Sequence, residues 1–305
     1  MHILITGGTG LIGKKLCRVL LQAGNRVTVL SRHPESIGQK CGDHIIAMAS
    51  LDEWEQHPPF DAVINLAGAP IVDAVWSAAR KQYLWDSRVT FTQALVERMA
   101  ACTHKPAMLL SGSAVGYYGD HRDSDMPLSE SAKAGTDFPA RLCAAWETEA
   151  MQAQALGVRV CLLRTGLVLS ADGGLLRRML LPFQLGLGAK LGNGRQWMSW
   201  IHIDDYVEIV IRLLAKPTAE GPFNMTAPHA VRNAEFTSEL AAALRRPAWL
   251  VAPATMLKVV LGARSMLLLG GQRVTPTRIS EMGFSFKYPA VSYTHLRAHE
   301  TKANL

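Results

Sequence analysis

Short apolar runs alternate with longer amphipathic stretches along the first half of the chain. Residues 3–6 form a mostly β-branched run of strand length. Residues 11–22 follow, with Leu11, Ile12, Leu16, Val19 and Leu20 at helical spacing. Gly24-Asn25 punctuates that stretch, and residues 27–30 read as a second strand. Residues 44–48, 61–66, 107–111 and 158–164 read as further strands. Residues 89–99 and 140–155 read as helices between them. Apolar strands alternating with helices predict an α/β fold, a doubly wound parallel sheet with right-handed crossovers.

The rhythm changes near Ser170. Gly173-Gly174, Gly186-x-Gly188 and Gly192-Asn193-Gly194 punctuate a loop-rich region. Helices are expected at 204–215 and 233–243, a strand at 222–225, and an apolar helical stretch from Pro253. The reading is a sheet domain over 1–169 and a smaller, interleaved lobe over 170–289. Residues 290–305 have no helix or strand period and are read as a non-native tail, which removes His295 and His299 as ligand candidates.

Composition narrows the class. The 305 residues are 49% hydrophobic and 19% charged, which suits a globular chain with a sizeable core. Net charge is +7, yet no Lys/Arg block runs unbroken for five positions, so no nucleic-acid partner is expected. Five cysteines are an odd number and form no Cys-x-x-Cys, so reduced thiols and a cytoplasmic location are expected, without metal. The apolar segment 256–269 is too short to span a bilayer and carries Lys258 and Arg264, so no membrane partner is expected.

The candidate chemistry begins where the first strand meets the first helix. Gly7, Gly10 and Gly13 stand in the spacing of a dinucleotide turn. The first glycine permits a tight turn, the second lets backbone approach a pyrophosphate, and the third lets helix pack on strand. The helix start, Thr9 to Gly13 with Leu11 and Ile12, offers free N–H groups and a positive dipole end. Ser31-Arg32 closes the second strand, where an acidic residue would hold the ribose hydroxyl of NAD. A guanidinium there suits the 2′-phosphate of NADP instead, so NADP is the expected cofactor. Leu66-Ala67-Gly68 after the fourth strand is small enough for a cofactor to lie against backbone.

Together these segments resemble the extended short-chain dehydrogenase/reductases, the NAD(P)-dependent epimerase/dehydratase group. Ser111-Gly112-Ser113-Ala114 with Tyr117-Tyr118-Gly119 resembles the active-site strand end of that group. Arg164-Thr165-Gly166-Leu167-Val168 resembles its nicotinamide loop, and Trp200-Ile201-His202-Ile203-Asp204-Asp205 its return segment. Trp76, Ser87-Arg88, Leu181-Pro182-Phe183 and Gly270-Gly271-Gln272-Arg273-Val274 resemble its atypical "epimerase family protein" branch. The resemblance implies a Rossmann sheet with a substrate-side lobe. It also implies NADP contacts from Ser31, Arg32, Leu66, Ala67, Arg88 and Val168.

One departure stands out. The group pairs a Tyr with a Lys four residues later, which lowers the Tyr pKa for proton transfer. No Tyr-x-x-x-Lys occurs anywhere in the chain. The two positions fall near Pro139 and Cys143, neither of which can substitute chemically. Ser113, Tyr117 and Tyr118 are the nearest acid–base candidates, with packing of both rings under the loop as the other reading. Asp204 and Asp205 are read as helix-start residues and Trp197 and Trp200 as lobe core. The expected function is an NADP(H)-binding oxidoreductase or epimerase-like enzyme acting on an unknown small molecule. A non-catalytic cofactor-binding or redox-sensing protein is the alternative, and a sugar-nucleotide epimerase with an unorthodox base is a weaker one.

Overall fold

The structure is a computed structural model that describes residues 1–292. The first half supplies β1 (His2–Thr6), β2 (Arg26–Leu30), β3 (Ile46–Met48), β4 (Ala62–Asn65), β5 (Met108–Ala114) and β6 (Arg159–Thr165). The helices around them are α1 (Leu11–Gln22), α2 (Ile37–Cys41), α3 (Ala78–Trp85), α4 (Phe91–Ala101) and α5 (Phe138–Met151). After β6 the chain makes β7 (Leu167–Ser170), α6 (Gly174–Gln184), β8 (Ala189–Leu191), β9 (Trp197–Met198) and β10 (Trp200–His202). Then come α7 (Ile203–Ala215), β11 (Gly221–Met225), β12 (Val231–Arg232), α8 (Asn233–Leu244) and β13 (Leu250–Ala252). The last helices are α9 (Ala254–Leu261), α10 (Met266–Leu269) and α11 (Thr277–Glu281).

Seven strands form one parallel sheet in the order β11-β6-β5-β4-β1-β2-β3. All five residues of β1 are buried, as a strand covered on both faces requires. Its side chains alternate: Ile3 and Ile5 join Leu16 and Leu20 of α1 and Val210 of α7, whereas Leu4 joins Leu95 and Met99 of α4. The strand order reverses between β1 and β4, so the turns after these two strands open into one crevice, where α/β sheets bind ligands.

The chain leaves the sheet after β6 and returns to its edge with β11, in parallel register with Leu163 opposite Phe223. Between these strands and after them it builds a second core around Leu176, Phe183, Trp200 and Phe236. Val291 is 3% exposed within that core, beside Tyr288. The lobe therefore runs past the limit expected at 289. The backbone N–H groups of Lys287 and Tyr288 donate to the buried Asp205 carboxylate at 2.9 and 3.0 Å, so Asp205 does more than start α7. The remainder of the expected tail, 293–305, lies outside the described residues.

Some boundaries moved for local reasons. The stretch read as one helix over 140–155 is α5 followed by a 3-10 turn, Gln152–Leu156, which ends at left-handed Gly157. Its start is earlier because Asp137 accepts a hydrogen bond from Ala140 N at 2.9 Å and caps it. The helix read at 89–99 is α4, joined without a break to α3 by a π-helical turn, Asp86–Thr90.

Candidate functional site

The three glycines have different physical jobs. Gly7 has φ +69°, and a Cβ there would stand 2.4 Å from Leu66 O. A Cβ on Gly13 would stand 2.4 Å from Gly7 O. Packing of the chain on itself excludes side chains at both. Gly10 has φ −75° and ψ 175°, a conformation open to any residue, and its Cβ would meet only Gly7 O, at 3.2 Å. The space beyond Gly10 is thus left for something else. Gly10 gives α1 no side-chain cap. The first helical bond, Lys14 N to Gly10 O at 2.9 Å, leaves the N–H groups of Leu11, Ile12 and Gly13 ahead of the ladder. Thr9 is half-buried in this turn.

The neighbouring strand ends are tied to it. Thr6 Oγ1 donates to Asn65 Oδ1 at 2.7 Å and accepts from Ala67 N at 3.2 Å. Leu66, Ala67 and Gly68 are thereby held beside Gly7. At the end of β2, Ser31 Oγ accepts from His33 N at 3.1 Å. Arg32 is exposed there and reaches only Tyr83 Oη, at 3.4 Å. Arg88 sits on the π-helical turn, a distortion often found at functional sites. It donates to Ala69 O at 2.9 Å and would lie 3.0 Å from a Cβ on Gly68. Among the described residues no carboxylate pairs with it, and burial lowers its pKa.

A cleft of about 410 Å³ continues from this turn. Ile12, Leu66 and Arg88 line one part, and Ser113, Thr165 and Leu167 another. Leu142, Trp146, Met266 and Leu267 make much of the wall apolar. Pro139 and Cys143 also face it, and burial pushes the Cys143 thiol up to about 12.

Behind Ser113 lies a buried charged cluster. Ser113 Oγ donates to Glu147 Oε1 at 2.6 Å. Arg164 donates Nε to the same oxygen and Nη2 to Oε2, both at 2.9 Å. Glu147 is 6% exposed and Arg164 3%. Arg164 Nη1 donates further to Tyr118 Oη at 3.0 Å and to Glu130 O at 2.9 Å. Tyr118 Oη donates to Asn224 Oδ1 at 2.6 Å. Burial acts to lower the Arg164 pKa, but the Glu147 carboxylate outweighs it and the guanidinium is held above its usual range. Burial pushes the Tyr118 hydroxyl up to about 12 despite the opposing pull of Arg164 and Asn224. A serine has one hydroxyl proton. With that proton directed at Glu147, Ser113 offers the cleft lone pairs only.

Of the three expected acid–base residues, the structure brings Ser113 alone to the cleft. Tyr118 is fully buried among Leu128 and Val274. Tyr117 lies against Arg164, whose Cζ is 3.6 Å from the ring centroid. Neither ring lines the cleft. Val168 packs against the sheet core, and its neighbour Leu167 lines the cleft in its place. Trp200 is fully buried in the lobe, whereas Trp197 lines the cleft. Sequence reasoning missed Glu147 and the depth of Arg164. A signal existed: Glu147 follows Pro139 and Cys143 at four-residue steps, which places all three on one face of α5.

With the geometry described, comparisons with known proteins can be placed beside it. Residues 3–226 match the NAD dependent epimerase/dehydratase family, and residues 252–292 match a domain of unknown function, DUF1731. An epimerase family protein of Staphylococcus epidermidis is 40% identical over 289 residues, covering 93% of this chain and 94% of its own. A chloroplastic epimerase family homologue of Arabidopsis thaliana is 38% identical over 297 residues, covering 95% of this chain and 84% of its own. The crystal structure of a human epimerase family protein with NADPH superposes with a TM-score of 0.85 at 31% identity, covering 97% of this chain and 98% of the human one.

Proposed function

Because this chain belongs to the NAD-dependent epimerase/dehydratase family, we propose that it binds NADP(H) and serves as an oxidoreductase with an atypical proton path. The single observation that carries this reading is one cleft that joins Ile12 at the start of α1 and Leu66 after β4 to Ser113. Ser113 shares that cleft with the apolar side chains of Leu142, Trp146, Met266 and Leu267, which supports room for a substrate next to the cofactor. The similar human protein with NADPH supports the cofactor class.

The residues present fit such a cofactor. Gly10 leaves room at the turn, the first N–H groups of α1 are free for phosphate, and Arg88 is a half-buried cation that faces no carboxylate among the described residues. Arg32, exposed at the end of β2, is the residue we assign to the 2′-phosphate. Bound NADP(H) would exchange hydride with the substrate. The chain's own contribution is to exclude water with Leu142, Trp146, Met266 and Leu267 and to orient the substrate at Ser113. Ser113 accepts a hydrogen bond from the substrate and Glu147 fixes its hydroxyl for that role. Tyr118 holds Arg164 and carries no proton to the cleft. The favoured substrates are therefore apolar alcohols, which would give up hydride to NADP+ and their hydroxyl proton to Ser113 as the Ser113 proton moves to Glu147.

Calorimetric titration with NADPH and NADH, followed by turnover assays over alcohol, carbonyl and sugar-nucleotide sets, tests the proposal. Firm NADPH binding with turnover of an apolar alcohol supports it; equal affinity for the two cofactors would overturn the NADP assignment. Pro139 and Cys143, standing where the family relay is expected, favour a second reading, a non-catalytic cofactor-binding protein. NADPH binding without turnover across those sets would select it.

A further inference from the structure

The positive excess of this chain falls on two segments. Residues 173–203 and 240–280 contain ten of the 32 Lys and Arg and none of the 25 Asp and Glu. Elsewhere acidic residues outnumber basic ones, 25 to 22. The two segments are neighbours in space. β13 lies parallel to β8 with Leu250 opposite Ala189, and Pro247 Cγ is 3.8 Å from where a Cβ on Gly186 would stand.

Between the basic residues the same segments expose large apolar side chains. Trp249 is 88% exposed, Val259 85% and Val260 67%. Leu181 and Leu185, one helical turn apart at the end of α6, are 63% and 66% exposed. Leu250 and Val251, adjacent on β13, are both exposed, so neither face of that strand is covered. Helix α9 buries no residue at all. Apolar surface of this extent rarely faces water without a partner.

Charge decides between occupants. A second copy would set the exposed cations Arg245, Arg246 and Lys258 against their own copies. Arg245, Arg246 and Lys258 are exposed and form no ion pair among the described residues; Arg178 pairs with Asp73 from outside the face. Aliphatic side chains and a Trp ringed by Lys and Arg are the chemistry of a protein that lies in a lipid headgroup region. We propose that this face of the C-terminal lobe docks on an anionic phospholipid surface. No helix among the described residues is long and apolar enough to cross a membrane, so the association is peripheral. It revises the expectation of no membrane partner, which considered only spanning segments. The proposal is independent of the cofactor chemistry, although the same segment continues into Met266 and Leu267 at the cleft.

The test is sedimentation of the purified full chain with phosphatidylcholine vesicles, with and without phosphatidylglycerol. The chain should bind vesicles that contain phosphatidylglycerol, bind plain phosphatidylcholine much more weakly, and release in high salt. Arg245→Gln with Arg246→Gln should weaken binding about 30-fold, given the contribution of each basic residue near an anionic leaflet. Trp249→Ser, at a side chain 88% exposed, should weaken it separately. Unchanged NADPH affinity in these variants would show that they are folded. Absence of binding to phosphatidylglycerol vesicles, or equal binding by the double variant, overturns the proposal. So would a doubled mass in light scattering without lipid, abolished by Val259→Asp, since the face would then belong to a second copy.

Discussion

Glu147→Gln is the most informative single change. It leaves the helix and its volume intact but removes the charge that faces Arg164. In the unmodified chain, two Arg164 N–H groups meet the two carboxylate oxygens at 2.9 Å each, and both residues are nearly excluded from water. Removing one partner of such a pair leaves an uncompensated buried charge, at a cost of about 3–5 kcal/mol. The glutamine oxygen retains one acceptor, which puts the expected loss near the lower end, about 3 kcal/mol. For a chain of this size that corresponds to a melting temperature lower by roughly 6–12 °C. The assay is urea denaturation and calorimetry of Glu147→Gln, Arg164→Gln and the double variant. The double variant should cost less than the sum of the singles by about 2–3 kcal/mol, because the second substitution removes the charge stranded by the first. NADPH affinity should change little, since Glu147 stands behind Ser113. A loss below about 1 kcal/mol in the single variant, or strict additivity, would refute the buried-pair reasoning.

Four further outcomes are expected. Gly10→Val should leave the fold intact, since only Gly7 O is near its Cβ at 3.2 Å, yet abolish NADPH binding in titration; Gly13→Ala, aimed at backbone 2.4 Å away, should instead lower the melting temperature. Arg32→Asp should weaken NADPH by roughly 10–100-fold, the worth of a charge-assisted phosphate contact, and leave NADH nearly unaffected in parallel titrations. Arg88→Met should weaken NADPH about 10-fold in the same titrations while the melting temperature changes little, because the half-buried Arg88 faces no carboxylate and bonds mainly to nearby backbone. Tyr118 and Tyr206 are both pushed up to about 12 by burial. Their folded values lie above the unfolded value near ~10, so stability is present below pH 10 and lost between pH 10 and pH 12. In an alkaline titration followed by tyrosinate absorbance, two of the six tyrosines should ionise only as the chain unfolds.

The architecture of the first half was legible in the chain because its determinants are local. A β-branched run buried on both faces, a turn that only glycine can make at Gly7, and apolar residues at helical spacing through Leu16 and Leu20 each specify conformation over a few residues. Gly10 was readable for the same reason: a glycine that its own backbone does not require points to a ligand. The cluster at Ser113 was not readable in this way. Ser113, Glu147 and Arg164 come from β5, α5 and β6, and a Glu or Arg in a sequence reads as surface until the fold removes it from water. Burial is a property of the whole packing arrangement, and it turns these three from solvated side chains into a fixed hydrogen-bond array. Tyr118 shows the converse. Its neighbours in sequence suggest an acid at an active site, but the core between β5, β6 and β11 turns its hydroxyl toward Asn224. The basic, apolar surface of the lobe was equally hidden. Its two segments stand some forty residues apart in the chain, and only the pairing of β8 with β13 adds their charges together, because electrostatic and apolar surface depend on distance in space, which sequence separation does not measure.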